Sequence, residues 1–250
     1  MTHSSSPPSA TIQWSRNVGK YRIQRDLLAI RERSRVLDVG AIGVGPLDLW
    51  RPLPLRDMPL DVVAVDNDAA GVEKARSLGL HLDLQCVSGY DLERTFGPAS
   101  FDVVVSTQVL EHVARPDEFV AQIARVLKPE GQFWCSLDSG HFSVSHAGDK
   151  LWKRAARPVV SRLFERFHDF GLTEPRVRAL IEATGMRVDE LLHCNLGPVK
   201  PMASKIDATR IVDFMPLWCQ FEAELAAVAE PSAFRDIYVR ASLPPQGPKR

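Results

Sequence analysis

The chain predicts an α/β three-layer sandwich on a largely parallel sheet, and three observations carry that prediction. Short β-branched runs recur: VLDV at 36–39, DVVAV at 61–65 and FDVVVS at 101–106. Stretches of helical length and helical periodicity separate them, which is the rhythm of strand–helix–strand units. The runs are apolar through their middles instead of alternating, as strands covered on both faces are.

Taken in order, residues 16–33 place Tyr21, Leu27, Leu28 and Ile30 on a partial apolar face and predict a helix. Arg35–Val39 reads as a short buried strand. A glycine-rich turn follows, and a helix is expected from near Gly45, stopped by Pro52 and Pro54. Asp61–Val65 is the second strand, residues 69–79 a helix ended at a Gly79 cap, and LHLDLQCV (80–87) the third strand. Residues 101–106 form the fourth strand. The next helix opens with Pro116, Asp117 and Glu118, where a missing N–H is harmless and negative charge meets the positive end of the dipole. QFWCSLD (132–138) is the fifth strand.

The rhythm breaks after Asp138. Residues 139–170 are rich in histidine, arginine and aromatics, and read as an inserted helical cap. It resumes with a helix over TEPRVRALIEATG, Thr173 serving as N-cap, then strand MRVDELLHC, a helix over about 208–227, and a last strand FRDIYVRAS. Residues 15–243 are expected to form one domain, with 1–14 and 244–250 as disordered tails rich in Ser, Pro and Gly.

The 250 residues are 45% hydrophobic, enough for a sizeable core without staples. With 31 basic and 31 acidic residues the net charge is zero, so no global field steers the chain to nucleic acid. No apolar run reaches the roughly 18 residues a membrane span needs. MTHSSSPPSAT has neither the basic nor the apolar segment of a secretory signal. Four scattered cysteines form no C-x-x-C pair, and three lie in apolar surroundings; this points to reduced thiols, a cytoplasmic setting and no metal site. The oligomeric state is not fixed by the sequence.

The first strand ends in VLDVGAIGVGPLD, with glycines spaced G-x-x-G-x-G at Gly40, Gly43 and Gly45. Ligands of open α/β sheets bind at the carboxyl ends of the strands, and glycines there let backbone approach them. The second strand ends in Asp66, whose paired oxygens can accept both hydroxyls of a ribose. A nicotinamide dinucleotide needs its pyrophosphate on a helix N-terminus, usually through G-x-G-x-x-G. Asp38, just before the glycines, would repel a pyrophosphate but suits an ammonium. That favours S-adenosylmethionine.

Five blocks in order, VLDVGAIGVG, VVAVDND, SGYDLE, FDVVVSTQVLEHV and VLKPEG, resemble the class I S-adenosylmethionine-dependent methyltransferases of the small-molecule, methyltransferase-11-like branch. The likeness covers roughly residues 35–138. It implies a Rossmann-like, seven-stranded sheet with an antiparallel last strand, and S-adenosylmethionine as methyl donor. It places Asp38, Gly40, Ala41, Gly43 and Gly45 around the methionine part, Asp66 on the ribose and Asn67 beside the adenine. Either Asp91 meets the adenine amino group or Tyr90 stacks on the ring. Thr107 and Gln108 line the methionine side. Two departures stand out: the first loop is one residue longer than D-x-G-x-G-x-G, and WRPLPLRDMPL lengthens the path to Asp66, which loops tolerate at little cost.

The expected reaction is methyl transfer to a small-molecule acceptor, at a hydroxyl, with histidine as base near neutral pH. His141 ranks first because it follows the fifth strand; His146 and His112 come next, the latter equally suited to a structural hydrogen bond. KLWKRAARPVVSRLFERF (150–167) is a basic amphipathic stretch. It reads first as a cap helix with a solvated basic face, and second as a peripheral membrane contact or a dock for a glycan, lipid-linked or acidic acceptor. The alternatives are a nicotinamide-dependent oxidoreductase and a non-catalytic module that binds the same cofactor.

Overall fold

A computed structural model describes residues 15–42, 47–141, 171–197, 205–207 and 210–245. Its elements are α1 (Val18–Ala29), β1 (Ser34–Val39), β2 (Leu60–Asp66), α2 (Ala69–Arg76), β3 (Asp83–Cys86), α3 (Leu92–Phe96), β4 (Phe101–Thr107), α4 (Pro116–Val126), β5 (Leu127–Asp138), α5 (Glu174–Glu182), β6 (Arg187–Leu196), α6 (Ile211–Ala226) and β7 (Phe234–Ser242). Seven strands form one sheet in the order β3-β2-β1-β4-β5-β7-β6. β1 pairs in parallel with β2 and β4, β2 with β3, and β4 with β5, whereas β7 runs antiparallel to both β5 and β6.

Strand alternation splits the core in two. Val36, Val62, Ala64, Val103 and Val105 pack toward α1, α2 and α6, while Leu37, Val39, Val63, Val65 and Val104 pack toward α3, α4 and α5. Both faces are therefore apolar, which is why the strands read as continuous hydrophobic runs. Pro116 opens α4 with Asp117 and Glu118 in its first turn. Gly79 holds φ +62° just past α2, as a glycine stop requires.

The structure corrects several local expectations. No helix follows the glycine turn among the described residues: Leu47–Trp50 make one tight turn, with the Trp50 and Arg51 N–H groups donating to Leu47 O, before a short 3-10 turn at Leu55–Asp57. The prolines at 52 and 54 leave too little chain for more. β3 keeps only four residues of the expected eight. Thr173 stands at the N-cap of α5, but its side chain makes no capping bond. The cap over 139–170 is described only as far as His141, so His146 and the basic stretch 150–167 lie outside the described residues.

α1 is tied to the far edge of the sheet by a buried polar cluster. Asn17 caps α1 by accepting from the Lys20 N–H, and its Nδ2 donates to Asp236 Oδ2 at 2.7 Å. Asn195 donates to the same Asp236 oxygen and accepts from the Val18 N–H at 2.8 Å. Glu222 of α6 takes the Asn195 and Leu196 N–H groups.

Candidate active site

The carboxyl ends of β1, β2 and β4 frame a cleft of about 320 Å³ lined by Gly40, Ile42, Asp66, Asn67, Ser88, Gly89, Tyr90, Gln108, Val109, His112 and Phe119, among others. Asp66 ends β2 on its wall. One carboxylate oxygen accepts from the Ile42 N–H and the other from the Asp68 N–H, both at 3.0 Å. Each oxygen keeps a second lone pair for a ligand hydroxyl.

Gly40 adopts φ +85°, and a Cβ there would stand 2.2 Å from Val109 Cγ2. A bare backbone at this point thus presses against the turn that follows β4. Gly89 is under the same constraint, since a Cβ would meet Phe119 Cε2 at 2.4 Å. Gln108 holds φ +58° and donates its N–H to Ser136 O, and its buried Nε2 has no partner. A strained non-glycine residue at a strand end, with an unused donor, is the profile of a ligand contact.

Tyr90 and Asp91 are placed differently with respect to the cleft. Tyr90 lines the cleft, its hydroxyl accepts from the Arg115 N–H, and the Arg115 guanidinium lies 4.4 Å over its ring. Asp91 is half-buried, paired with Arg94, and off the cleft wall. Of the other expected residues, Gly40, Asp66, Asn67, Gln108 and His112 are on the wall; Asp38, Ala41, Thr107 and His141 are not. Gly43 and Gly45 lie outside the described residues. Ser88, Gly89 and Val109 are wall residues inside the SGYDLE and FDVVVSTQVLEHV blocks to which the resemblance gives no role, and Phe119 is one that lies outside every block.

Asp38 is buried beneath the cleft. Trp50 Nε1 donates to its Oδ2 at 2.7 Å, while Oδ1 has no partner. Burial pushes its carboxyl up to about 7, opposed in part by the Trp50 bond. Glu111, after β4, is fully buried; Oε1 accepts from the Asp138 N–H and Oε2 is bare. Burial raises it to about 8, opposed by backbone hydrogen bonds and reinforced by Asp138 and Asp236. Both folded-state values exceed the ordinary ones, so the folded state holds protons that the unfolded chain releases. Stability should therefore fall as pH rises from about 4 to about 8 and level off above. Urea midpoints across that range should drop for the wild type, and a chain carrying Asp38→Asn and Glu111→Gln should lose most of the slope. An unchanged slope would refute the assignment.

Residues 28–135 match the model of a methyltransferase domain family. That segment is a methyltransferase domain, of the kind found in class I S-adenosylmethionine-dependent methyltransferases. It is 27% identical over 193 residues to a ubiquinone biosynthesis O-methyltransferase of Maricaulis maris, covering 72% of this chain and 69% of that one. To the enzyme of the same name from Agrobacterium fabrum it is 35% identical over 104 residues, 40% of this chain and 39% of the other. The fold of an S-adenosylmethionine dependent methyltransferase from Mesorhizobium loti superposes with a TM-score of 0.57 at 13% identity, over 90% of this chain and 97% of that one. The methyltransferase draws its methyl group from S-adenosylmethionine. The cleft fits that donor: it has a carboxylate at the end of β2, close-packed glycine backbone at the end of β1, and an unsatisfied amide donor at the end of β4. Among the described residues no helix is long and apolar enough to cross a membrane, and no three His, Cys, Asp or Glu side chains are grouped to hold a metal.

Proposed function

We propose that the methyltransferase acts on a hydroxyl of a small-molecule acceptor. The observation that carries this is one cleft whose wall holds both the Asp66 carboxylate and the His112 imidazole. His141 stands at the end of the neighbouring β5. Relatives named as O-methyltransferases support the same reading.

In this reading Asp66 accepts the ribose hydroxyls, Asn67 lies beside the adenine and Tyr90 gives the base its aromatic wall. Gly40 and Ala41 border the methionine part, and Gly43 and Gly45 follow them in sequence. Gln108 Nε2 donates to the ligand, with Thr107 behind it. Asp38 acts from below, its free oxygen matching an ammonium through water. His141 takes the hydroxyl proton as oxygen meets the methyl carbon. Such transfer depends chiefly on holding the two reactants in line.

The test is a methyl-transfer assay with catechol, an aliphatic alcohol, an amine and a thiol. O-methylation of the catechol, reduced about a hundredfold or more in His141→Ala, is expected. Transfer to the amine or thiol alone would overturn the hydroxyl reading.

A further inference from the structure

Three polar side chains outside the cleft converge at the carboxyl end of the sheet: His141 beyond β5, His193 near the end of β6, and Glu174 at the start of α5. His193 Nε2 lies 3.1 Å from Glu174 Oε2. The His141 and His193 rings are 5.9 Å apart between centroids and cross at 73°. We propose that His193, held by Glu174, is a positioning residue for His141. The inference rests on the hydroxyl reading of the function given above.

The placement follows from strand alternation. Leu192 and Cys194 pack toward α1 and α6, and Leu191 toward α4 and α5, so His193 points to the α5 face. The cleft residues Tyr90, Val109, Val113 and Phe119 border that same face. The backbone entering His141 is pinned on two sides. The Ser139 N–H donates to Arg235 O of β7 at 2.6 Å, and the Gly140 N–H donates to Leu172 O, just ahead of α5, at 3.0 Å. His141 thus begins from a fixed point and meets an imidazole that is itself fixed.

Glu174 determines what His193 can do. A carboxylate only accepts, so the bond puts the proton on Nε2 and leaves Nδ1 as a bare lone pair. That Nδ1 is buried and has no partner. A buried acceptor without a donor is costly unless a donor comes to it in some state of the cycle. The neighbouring ring supplies one when it is protonated. The acceptor oxygen forms its bond to the methyl carbon, the carbon–sulfur bond breaks with its electron pair left on sulfur, and the hydroxyl proton passes to His141. The imidazolium then has an N–H for His193 Nδ1, with the Glu174 charge one ring behind. The other charged groups on the elements around the pair are Arg176 and Arg178 of α5, the latter paired with Glu174, Arg235 of β7, the buried Glu111 after β4, and Asp138 and Asp236, which strand alternation sets on the α1 face. Phe234 gives His193 an apolar neighbour.

Two measurements on the full chain test this. Imidazole nitrogen NMR near pH 7 should find His193 protonated at Nε2 and bare at Nδ1, and Glu174→Gln should shift its resonances; a proton resting on Nδ1 would overturn the proposal. Kinetics with S-adenosylmethionine compare catechol with 4-nitrocatechol, which ionises unaided. Glu174→Gln and His193→Asn should lower kcat for catechol by about a hundredfold with KM little changed, and 4-nitrocatechol should suffer far less. The acid limb of the catechol profile should move down by about one pH unit in Glu174→Gln, because the imidazolium loses its counter-charge. Equal losses on both acceptors, or an unmoved limb, would show a merely structural pair. If the wild type methylates only the amine or the thiol, the hydroxyl reading falls and this step with it, and the NMR result still reports whether the Glu174–His193 pair is set as described.

Discussion

Asp66→Ala is expected to weaken binding of S-adenosylhomocysteine by at least about a hundredfold in calorimetric titration, since hydrogen bonds to a charged group contribute roughly 1.5–3 kcal/mol each and a ribose offers two. The same carboxylate also takes the Ile42 and Asp68 N–H groups, on either side of the cleft mouth. Removing it therefore frees two backbone donors as well as the ligand's partner. Asp66→Asn keeps one oxygen and should fall between the two. Retained affinity in Asp66→Ala would remove Asp66 from the proposed site.

The second large effect is on stability. Gly40→Ala should destabilise the fold by about 2–4 kcal/mol in urea unfolding, combining a left-handed backbone cost with overpacking. Two controls separate those parts. Gly185 has the same φ of +85° but nothing within 4 Å of an added Cβ, so Gly185→Ala should show the backbone cost alone. Pairing Gly40→Ala with Val109→Ala removes the atoms it strikes and should recover only the steric share. If Gly40→Ala and Gly185→Ala cost the same, the contact with Val109 is not a constraint.

Much of this architecture is legible in the chain because its signals are local. β1, β2 and β4 announce themselves as apolar runs, and α4 by its proline and acids. α3 is five residues long, too short to show a period. The helix expected after Gly45 is absent among the described residues because Trp50 turns inward to Asp38, a partner twelve positions away that no window of periodicity contains. The cleft divides in the same way. Asp66, Tyr90 and Gln108 stand at strand ends that their runs already mark. Phe119 reaches the wall from the middle of α4, where it looks like an ordinary core residue. The Glu174–His193 pair joins residues from a helix start and an edge strand, and only the sheet order brings them together.

That sheet order also has a history in time. β7 lies between β5 and β6 although it is the last of the seven strands in sequence. A chain emerging from the ribosome, N-terminal end first, can zip β1 to β5 as it appears, but β6 then has no neighbour to join. It must wait, exposed, until β7 arrives and inserts with a partner on each side. Asp236, which holds Asn17 and Asn195, arrives with β7, so the start of α1 gains its tie to the far edge late, although the helix already packs on β1 and β2 and holds Leu49 O through Gln24. The β6–β7 half of the sheet is accordingly assembled in a closing step, and a ribosome paused after α6 would carry every residue of the cleft wall beside an unfinished half.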